Sequence, residues 1–185
     1  MNSDYFRYLR KRSLIGILFR RLFLMPVVNY FRGNVLDIGS GIGEFLEYYP
    51  DSVGIDVNKD CVEFCVSKGL KCFHADVYRL PFMDNSFDGV LLNNILEHLG
   101  KPDDAFSEIK RVLRNDGRLL IELPGKKGFC YDKTHIKFWD KTEMMDFLAK
   151  WGFRNITARF FPVPFEFAGN ALTHNKLRVF AVNSK

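Results

Sequence analysis

What the sequence lacks narrows it first. No apolar run approaches the roughly 20 residues that cross a bilayer, so no transmembrane helix is expected. Cysteine is scarce: Cys61, Cys65, Cys72 and Cys130 are the only four in 185 residues. They fit neither a secreted disulfide framework nor the paired Cys-x-x-Cys spacing of a zinc site. Cys61 and Cys65 stand four apart in a helical stretch, as buried reduced thiols would, which points to the cytoplasm. Repeats, low-complexity tracts and long linkers are missing too. What remains, 47% hydrophobic and 26% charged residues, excludes a disordered or collagen-like chain. The length suits one domain of ordinary size.

Charge is present but unevenly placed. Met1 to Asn34 carries seven basic residues against Asp4 alone, a net +6. The whole chain is +5, so everything after Asn34 sums to −1. A nucleic-acid-binding body would be basic throughout, so nucleic acid is not the expected partner. Within the first 34 residues aromatic and aliphatic groups alternate with basic clusters, and Pro26 interrupts helix. Arg20 and Arg21 break the apolar core that a signal peptide needs, and no small-residue cleavage site follows. Two readings of residues 1–34 stand: a helix closing over the body as a lid, or a basic amphipathic segment resting on an anionic membrane or charged partner. The protein is thus expected in the cytoplasm, with peripheral membrane contact through this segment as the second reading. Its oligomeric state is not legible.

From residue 35 to 185 the pattern is that of an α/β domain. Short apolar runs at Val35 to Ile38, Ser52 to Val57, Leu70 to Ala75, Phe87 to Asn93 and Gly117 to Leu123 read as strands. Helices are expected at Glu44 to Tyr49, Asn58 to Ser67 and Pro102 to Leu113, punctuated by Pro50, Gly69 and a proline in the first turn. Asp140-x-x-Glu143 resembles a capping box opening a helix to about Trp151, stopped by Gly152. Phe153 to Phe161 and Leu177 to Asn183 suit two last strands, joined by an irregular Pro162 to Lys176. Repeated strand–helix units predict a sheet with helices on both faces, with ligands at the carboxyl ends of its strands.

The strongest local signal is V-L-D-I-G-S-G-I-G at Val35 to Gly43. Gly39, Gly41 and Gly43 permit a tight turn open to a ligand. The dinucleotide fingerprint G-x-G-x-x-G fails here, because Glu44 takes the last glycine's place. Asp37 and Glu44 flanking the turn would repel a pyrophosphate and suit a cationic ligand. Asp56 follows Asp37 by 19 residues at the end of the second strand, where a carboxylate can accept from both hydroxyls of a ribose. Asp76 closes the third strand, placed for an adenine amino group, and Asn93 and Asn94 close the fourth. A single Asp or Asn there is an ordinary turn residue; four at the ends of four consecutive strands make a site.

These stretches resemble the class I S-adenosylmethionine-dependent methyltransferases, of the small-molecule type similar to ubiquinone-pathway O-methyltransferases. The resemblance runs through V-G-I-D-V-N, A-D-V-Y-R-L-P-F-M-D-N-S-F-D-G-V-L-L-N-N-I-L-E-H-L, E-I-K-R-V-L-R-N-D-G-R-L-L-I-E-L-P and H-I-K-F-W-D-K-T-E-M-M-D-F-L-A-K-W-G-F. Together they cover about Val35 to Phe153. It implies a Rossmann-like seven-stranded sheet, mostly parallel, with the last strand antiparallel. It also implies S-adenosylmethionine as cofactor and S-adenosylhomocysteine as product. Asp37 and the loop of Gly39, Ser40, Gly41 and Gly43 would surround the methionine moiety, Asp56 and Val57 the ribose, and Asp76 with the Val77 backbone the adenine, with Asn93 nearby. One departure is Asn115-Asp116-Gly117 where the family commonly has P-G-G, at a turn distant from the cofactor.

A sulfonium donor leaves the enzyme to position an acceptor and exclude water. If the acceptor is a hydroxyl, a nearby base helps. His98, after the fourth strand, and His135, after the fifth, are the candidates; ordered structural histidines are the competing reading. Related enzymes carry E-x-x-E-H at this place and hold a divalent ion with it. Here the string is Asn94-Ile95-Leu96-Glu97-His98, without the first carboxylate, a poor set for magnesium, so no metal is expected. The reading is direct methyl transfer to a small-molecule or lipid-linked acceptor. A catalytically silent cofactor-binding scaffold, or a nucleic-acid methyltransferase, is the alternative, and the lack of an N-P-P-Y-type string disfavours the last.

Overall fold

The structure, a computed structural model, describes residues 23–185. Residues 1–22, most of the basic segment, lie outside the described residues. β1 (Val35–Ile38) is buried along its whole length, as a strand covered on both faces must be. Around it run β2 (Ser52–Asp56), β3 (Cys72–His74), β4 (Phe87–Asn93), β5 (Leu113–Pro124), β6 (Phe153–Phe161) and β7 (Lys176–Asn183). They form one seven-stranded sheet in the order β3-β2-β1-β4-β5-β7-β6. β1 to β5 are parallel, and β7 runs antiparallel between β5 and β6. Order reverses at β1, so the loops after β1 and β4 open a crevice at the carboxyl ends.

Side chains alternate across this sheet with period two. Leu119, Ile121 and Leu123 of β5 enter one core, with Phe106, Ile109, Met144 and Leu148. Leu120, between them, enters the other, with Val27, Phe31, Phe45 and Leu46. The first core is closed by α3 (Pro102–Val112) and α5 (Lys141–Lys150), the second by α1 (Glu44–Tyr48), α2 (Lys59–Ser67) and the chain from residue 23 to 31. Half of the expected capping box is present: the Asp140 side chain accepts from the Glu143 amide at 2.9 Å, while the Glu143 carboxylate pairs with Lys137 at 2.7 Å. Asn58 caps α2 by accepting from the Asp60 amide at 3.0 Å.

Two local expectations are corrected. β5 starts at Leu113 rather than Gly117, because Leu113 pairs with Phe87 before the Asn115–Gly117 stretch bulges out and pairing resumes at Gly89 with Arg118. The supposedly irregular Pro162 to Lys176 contains a short helix, α6 (Glu166–Ala171), and α4 (Lys126–Tyr131) follows β5. The two pack together, Gly125 approaching Gly169 so closely that a Cβ on Gly125 would stand 2.8 Å from the Gly169 Cα. Cys61, Cys65 and Cys72 are buried thiols, whereas Cys130 on α4 is exposed.

Residues 23–28 are helical with Pro26 among them, so Pro26 does not interrupt helix as the sequence suggests, and the stretch to residue 31 is tied to the sheet. The Tyr30 hydroxyl donates to the Ala181 carbonyl at 3.1 Å, Arg118 donates to the Tyr30 carbonyl, and Arg178 to the Phe23 carbonyl at 2.7 Å. Arg178 also meets Glu122 across the β5–β7 ladder, where both are about 95% buried. Burial alone would raise the Glu122 carboxyl, but Lys176, 3.0 Å from it, and Arg178 hold it below its ordinary range. Removing one partner of such a pair leaves an uncompensated buried charge. Arg178→Leu is therefore expected to destabilise the fold by about 3–5 kcal/mol, and Glu122→Leu combined with Arg178→Leu to recover most of that loss. Urea unfolding of the two variants checks this; equal losses would mean that packing, not charge, governs the pair.

Candidate functional site

The turn after β1 is built by close approaches that exclude side chains. Gly39, at φ +72°, has no room for a Cβ, which would stand 2.0 Å from Ile95 Cδ1. Its amide and that of Ser40 donate to the Ile55 carbonyl of β2, at 2.8 and 3.0 Å. Ser40 is buried, its hydroxyl 3.3 Å from the Cys72 thiol, so its side chain faces the body. Gly43 is left-handed at φ +80° and opens α1. Gly41 takes a positive φ as well, and its amide donates to Asp56 Oδ2 at 2.8 Å.

Asp56 thus has a structural task besides the one expected from the sequence. Its second oxygen accepts from the Asn58 amide at 2.8 Å. One carboxylate at the end of β2 clasps both the glycine turn and the start of α2. Each oxygen keeps a second lone pair for a ligand. Val57 beside it is exposed at 62%. Asp76 is exposed, its Oδ1 accepting from the Tyr78 amide at 3.1 Å, and Val77 is buried. Asp37, Gly39, Asp56 and Asp76 therefore stand at the carboxyl ends of β1, β2 and β3, as the spacing predicts. Asn93 stands at the end of β4, where its side-chain carbonyl accepts from Lys176 at 2.9 Å.

The electrostatics of this end are one-sided. Asp37 is 3% exposed, and burial, with Cys72, Asp56 and Glu44 adding to it, pushes its carboxyl up to about 8. Every charge named there is negative. A ligand bringing its own positive charge would supply the missing counter-charge, and S-adenosylmethionine, with a sulfonium and an ammonium, fits that demand. A pyrophosphate would not.

A second cluster occupies the next two loops. After β4 a 3-10 turn, Leu96–His98, carries Glu97 and His98. The loop after α4 brings His135 to it: the Ile136 and Lys137 amides donate to the Glu97 carbonyl at 2.8 and 3.2 Å. The two imidazole rings lie 4.7 Å apart, and Phe129 stacks on His135 at 5.1 Å. His98 and His135, 37 positions apart in sequence, are brought together. Burial lowers the His98 imidazole, with His135 adding to this. Burial pushes the Glu97 carboxyl up to about 7. His74 and His174 lie elsewhere, His74 exposed with its ring against the Val57 carbonyl at 3.1 Å.

Sequence reasoning missed the Glu122–Lys176–Arg178 group that borders Asn93. The signal was there, a lone acid in the apolar run R-L-L-I-E-L-P, but its partners lie on a strand more than 50 residues away.

The family described as a methyltransferase domain matches residues 36–121. An uncharacterised protein of Methanocaldococcus jannaschii is 30% identical over 138 residues, 69% of this chain and 67% of that protein. An uncharacterised methyltransferase of Bacillus subtilis is 35% identical over 98 residues, 47% of this chain and 39% of that protein. The matched stretch therefore spans from two-thirds to well under half of these relatives. A solved structure, a SAM-dependent methyltransferase from Archaeoglobus fulgidus, shares the fold with a TM-score of 0.79 at 24% identity, covering 96% of this chain and 99% of that one.

Asp37 yields a prediction in the absence of any ligand. Its folded value lies above its ordinary one, so the unfolded chain ionises first. Stability is then full below about pH 4 for this group and is lost as pH rises toward about 8. Asp37→Asn should stabilise the ligand-free protein at pH 8 by about 1–3 kcal/mol, the cost of an uncompensated buried group, and change little at pH 4. Thermal melts of both proteins across that range check it; parallel pH profiles would refute it.

Proposed function

The chain belongs to the class I S-adenosylmethionine-dependent methyltransferase family, and from that premise we propose that its acceptor is a small or lipid-linked molecule. The observation that carries this reading is an apolar rim beside the cofactor end. Tyr131, Ile136, Phe138, Phe165, Phe167 and Leu172 are all exposed. They lie on the chain that follows β5 and on the β6–β7 connection, both at the edge where β1 and β4 end. Phe165 and Phe167 stack at 5.6 Å. Such rings offer contact to an apolar acceptor and little to a folded nucleic acid, whose phosphates call for a basic surface. The same reading gives the six basic residues before residue 23 a place against an anionic lipid surface, where each basic group adds about 1 kcal/mol.

When bound, S-adenosylmethionine supplies an activated methyl group on a sulfonium. The chain's own residues do the rest. Asp37 balances cationic charge, while the Asp56 carboxylate holds the glycine turn and accepts from ribose hydroxyls. Asp76 and the Val77 backbone take the adenine edge, and Asn93, steered by Lys176, borders the methyl end. His98 and His135 line the acceptor side. Their Nδ1 atoms face the carbonyls of Thr134 and Phe129, at 3.2 and 2.8 Å. Donation from Nδ1 leaves each Nε2 with a lone pair for an acceptor's proton.

The test of the acceptor class is incubation with methyl-labelled cofactor and fractionated cell extract. Label should appear in organic-soluble lipid or in small aqueous molecules; label confined to nucleic acid or protein would overturn the proposal, and cofactor binding without any turnover would favour a silent scaffold. Asp56→Ala should weaken cofactor binding by about 10–100-fold in calorimetry, since charged hydrogen bonds are worth about 1.5–3 kcal/mol each. His98→Ala and His135→Ala should lower turnover while leaving that affinity within about twofold, the cofactor's contacts being intact. Full turnover in both would make the histidines structural.

A further inference from the structure

Glu97 is 1% exposed, yet neither of its carboxylate oxygens has a hydrogen-bond partner among the described residues. Buried acids are ordinarily paired, hydrogen-bonded or bound to a metal. The nitrogen Nε2 of His135 stands 3.8 Å from Glu97 Oε1, beyond hydrogen-bond range. One donor atom from each of Glu97, His98 and His135 lies within 4.8 Å of the other two. Three donors thus converge on one point without bonding to one another.

The way the rings are held adds a second observation. His135 is fixed through Nδ1 by the Phe129 carbonyl, at 2.8 Å, and His98 through Nδ1 by the Thr134 carbonyl, at 3.2 Å. A backbone carbonyl on the far nitrogen is how metal-binding imidazoles are oriented, because it sets the tautomer and leaves Nε2 as the donor. We propose that Glu97, His98 and His135 form a binding site for a divalent first-row transition ion of the zinc class.

The donor set decides the class of ion. Magnesium requires six oxygens in a near-ideal octahedron, and one carboxylate with two imidazoles does not provide them. Two nitrogens and a carboxylate suit zinc, which in catalytic sites takes three protein ligands and leaves a fourth position open. Ligand atoms about 2.1 Å from such an ion stand roughly 3.4 Å apart, so closing onto it takes side-chain shifts on the order of 1 Å. Ile95, two residues before Glu97, packs on the Gly39 turn, so the cluster borders the cofactor end. With both Nε2 lone pairs on the ion, an acceptor oxygen taken as fourth ligand would lose its proton to solvent more readily, so coordination replaces the imidazole as base; this rests on the methyl-transfer reading, and the ion site itself does not.

The test uses the full chain, freed of metal by chelation and studied without cofactor or acceptor. Titration with zinc chloride by calorimetry should show one ion per chain at micromolar affinity or tighter, and magnesium chloride no binding. Cobalt(II) should give the visible absorption of a low-coordinate site. Glu97→Gln keeps the side chain's shape, and His98→Ala and His135→Ala remove one donor each. Each should weaken zinc by at least about tenfold, with folding verified by circular dichroism, while Cys130→Ser should change nothing. Zinc binding that is absent, or that survives all three variants, overturns the proposal. A zinc-binding chain that methylates no small or lipid-linked acceptor would refute the acceptor reading alone; a fully active chain that binds no zinc would refute the ion alone.

Discussion

The carboxylate of Asp56 joins the two segments that must meet for a cofactor to bind. Through one oxygen it holds the Gly41 amide, and through the other the Asn58 amide. The first bond sets the path of the glycine turn, the second the start of α2, whose cap Asn58 then completes. Hydrogen bonds to a charged acceptor are about twice as strong as neutral ones, and here one charge serves two loops. Burial raises this carboxyl above its ordinary range, while the two amides and His74 pull it back. Asp37, a strand away, has no such relief. The pair therefore leaves the turn negative and short of a partner, which matches the charge of a sulfonium donor.

The proposed acceptor side is organised differently. Its residues come from three short, separate pieces: the 3-10 turn after β4, the loop beyond α4, and α6 between β6 and β7. None is long enough to be stable alone. They are held by backbone bonds to one another, such as Ile136 and Lys137 on the Glu97 carbonyl, and by the contact of Gly125 with Gly169. Apolar rings are left outward there. The cofactor end is a property of the sheet, while the acceptor end is a property of its connections, where chains of one fold differ most.

Much of the fold was legible for a plain reason. Strands buried on both faces read as apolar runs, and helix ends carry punctuation in Asn58, Gly69, Pro102, Asp140 and Gly152. Where a rule of local chemistry was silent, the reading slipped. The extension of β5 back to Leu113 depends on pairing with Phe87. The helices α4 and α6 are six residues each and rest on one another, not on propensity. Val57, Asp76 and Asn93 could be set at strand ends by counting, but not their exposure, nor that Lys176 holds Asn93.

The order of strands and helices, the glycine turn and the row of three acids and an asparagine at four strand ends follow from the sequence by itself, because each is encoded within a few neighbouring residues. Periodicity and turn chemistry act locally, so they survive in one dimension. Tertiary structure alone decided that His135 meets Glu97 and His98, that Glu122 lies between Lys176 and Arg178, and that Glu97 is buried without a hydrogen-bond partner among the described residues. Those contacts join residues 37 to 56 positions apart, and no local pattern records them. Whether a carboxyl is satisfied depends on everything packed around it, which only the folded chain contains.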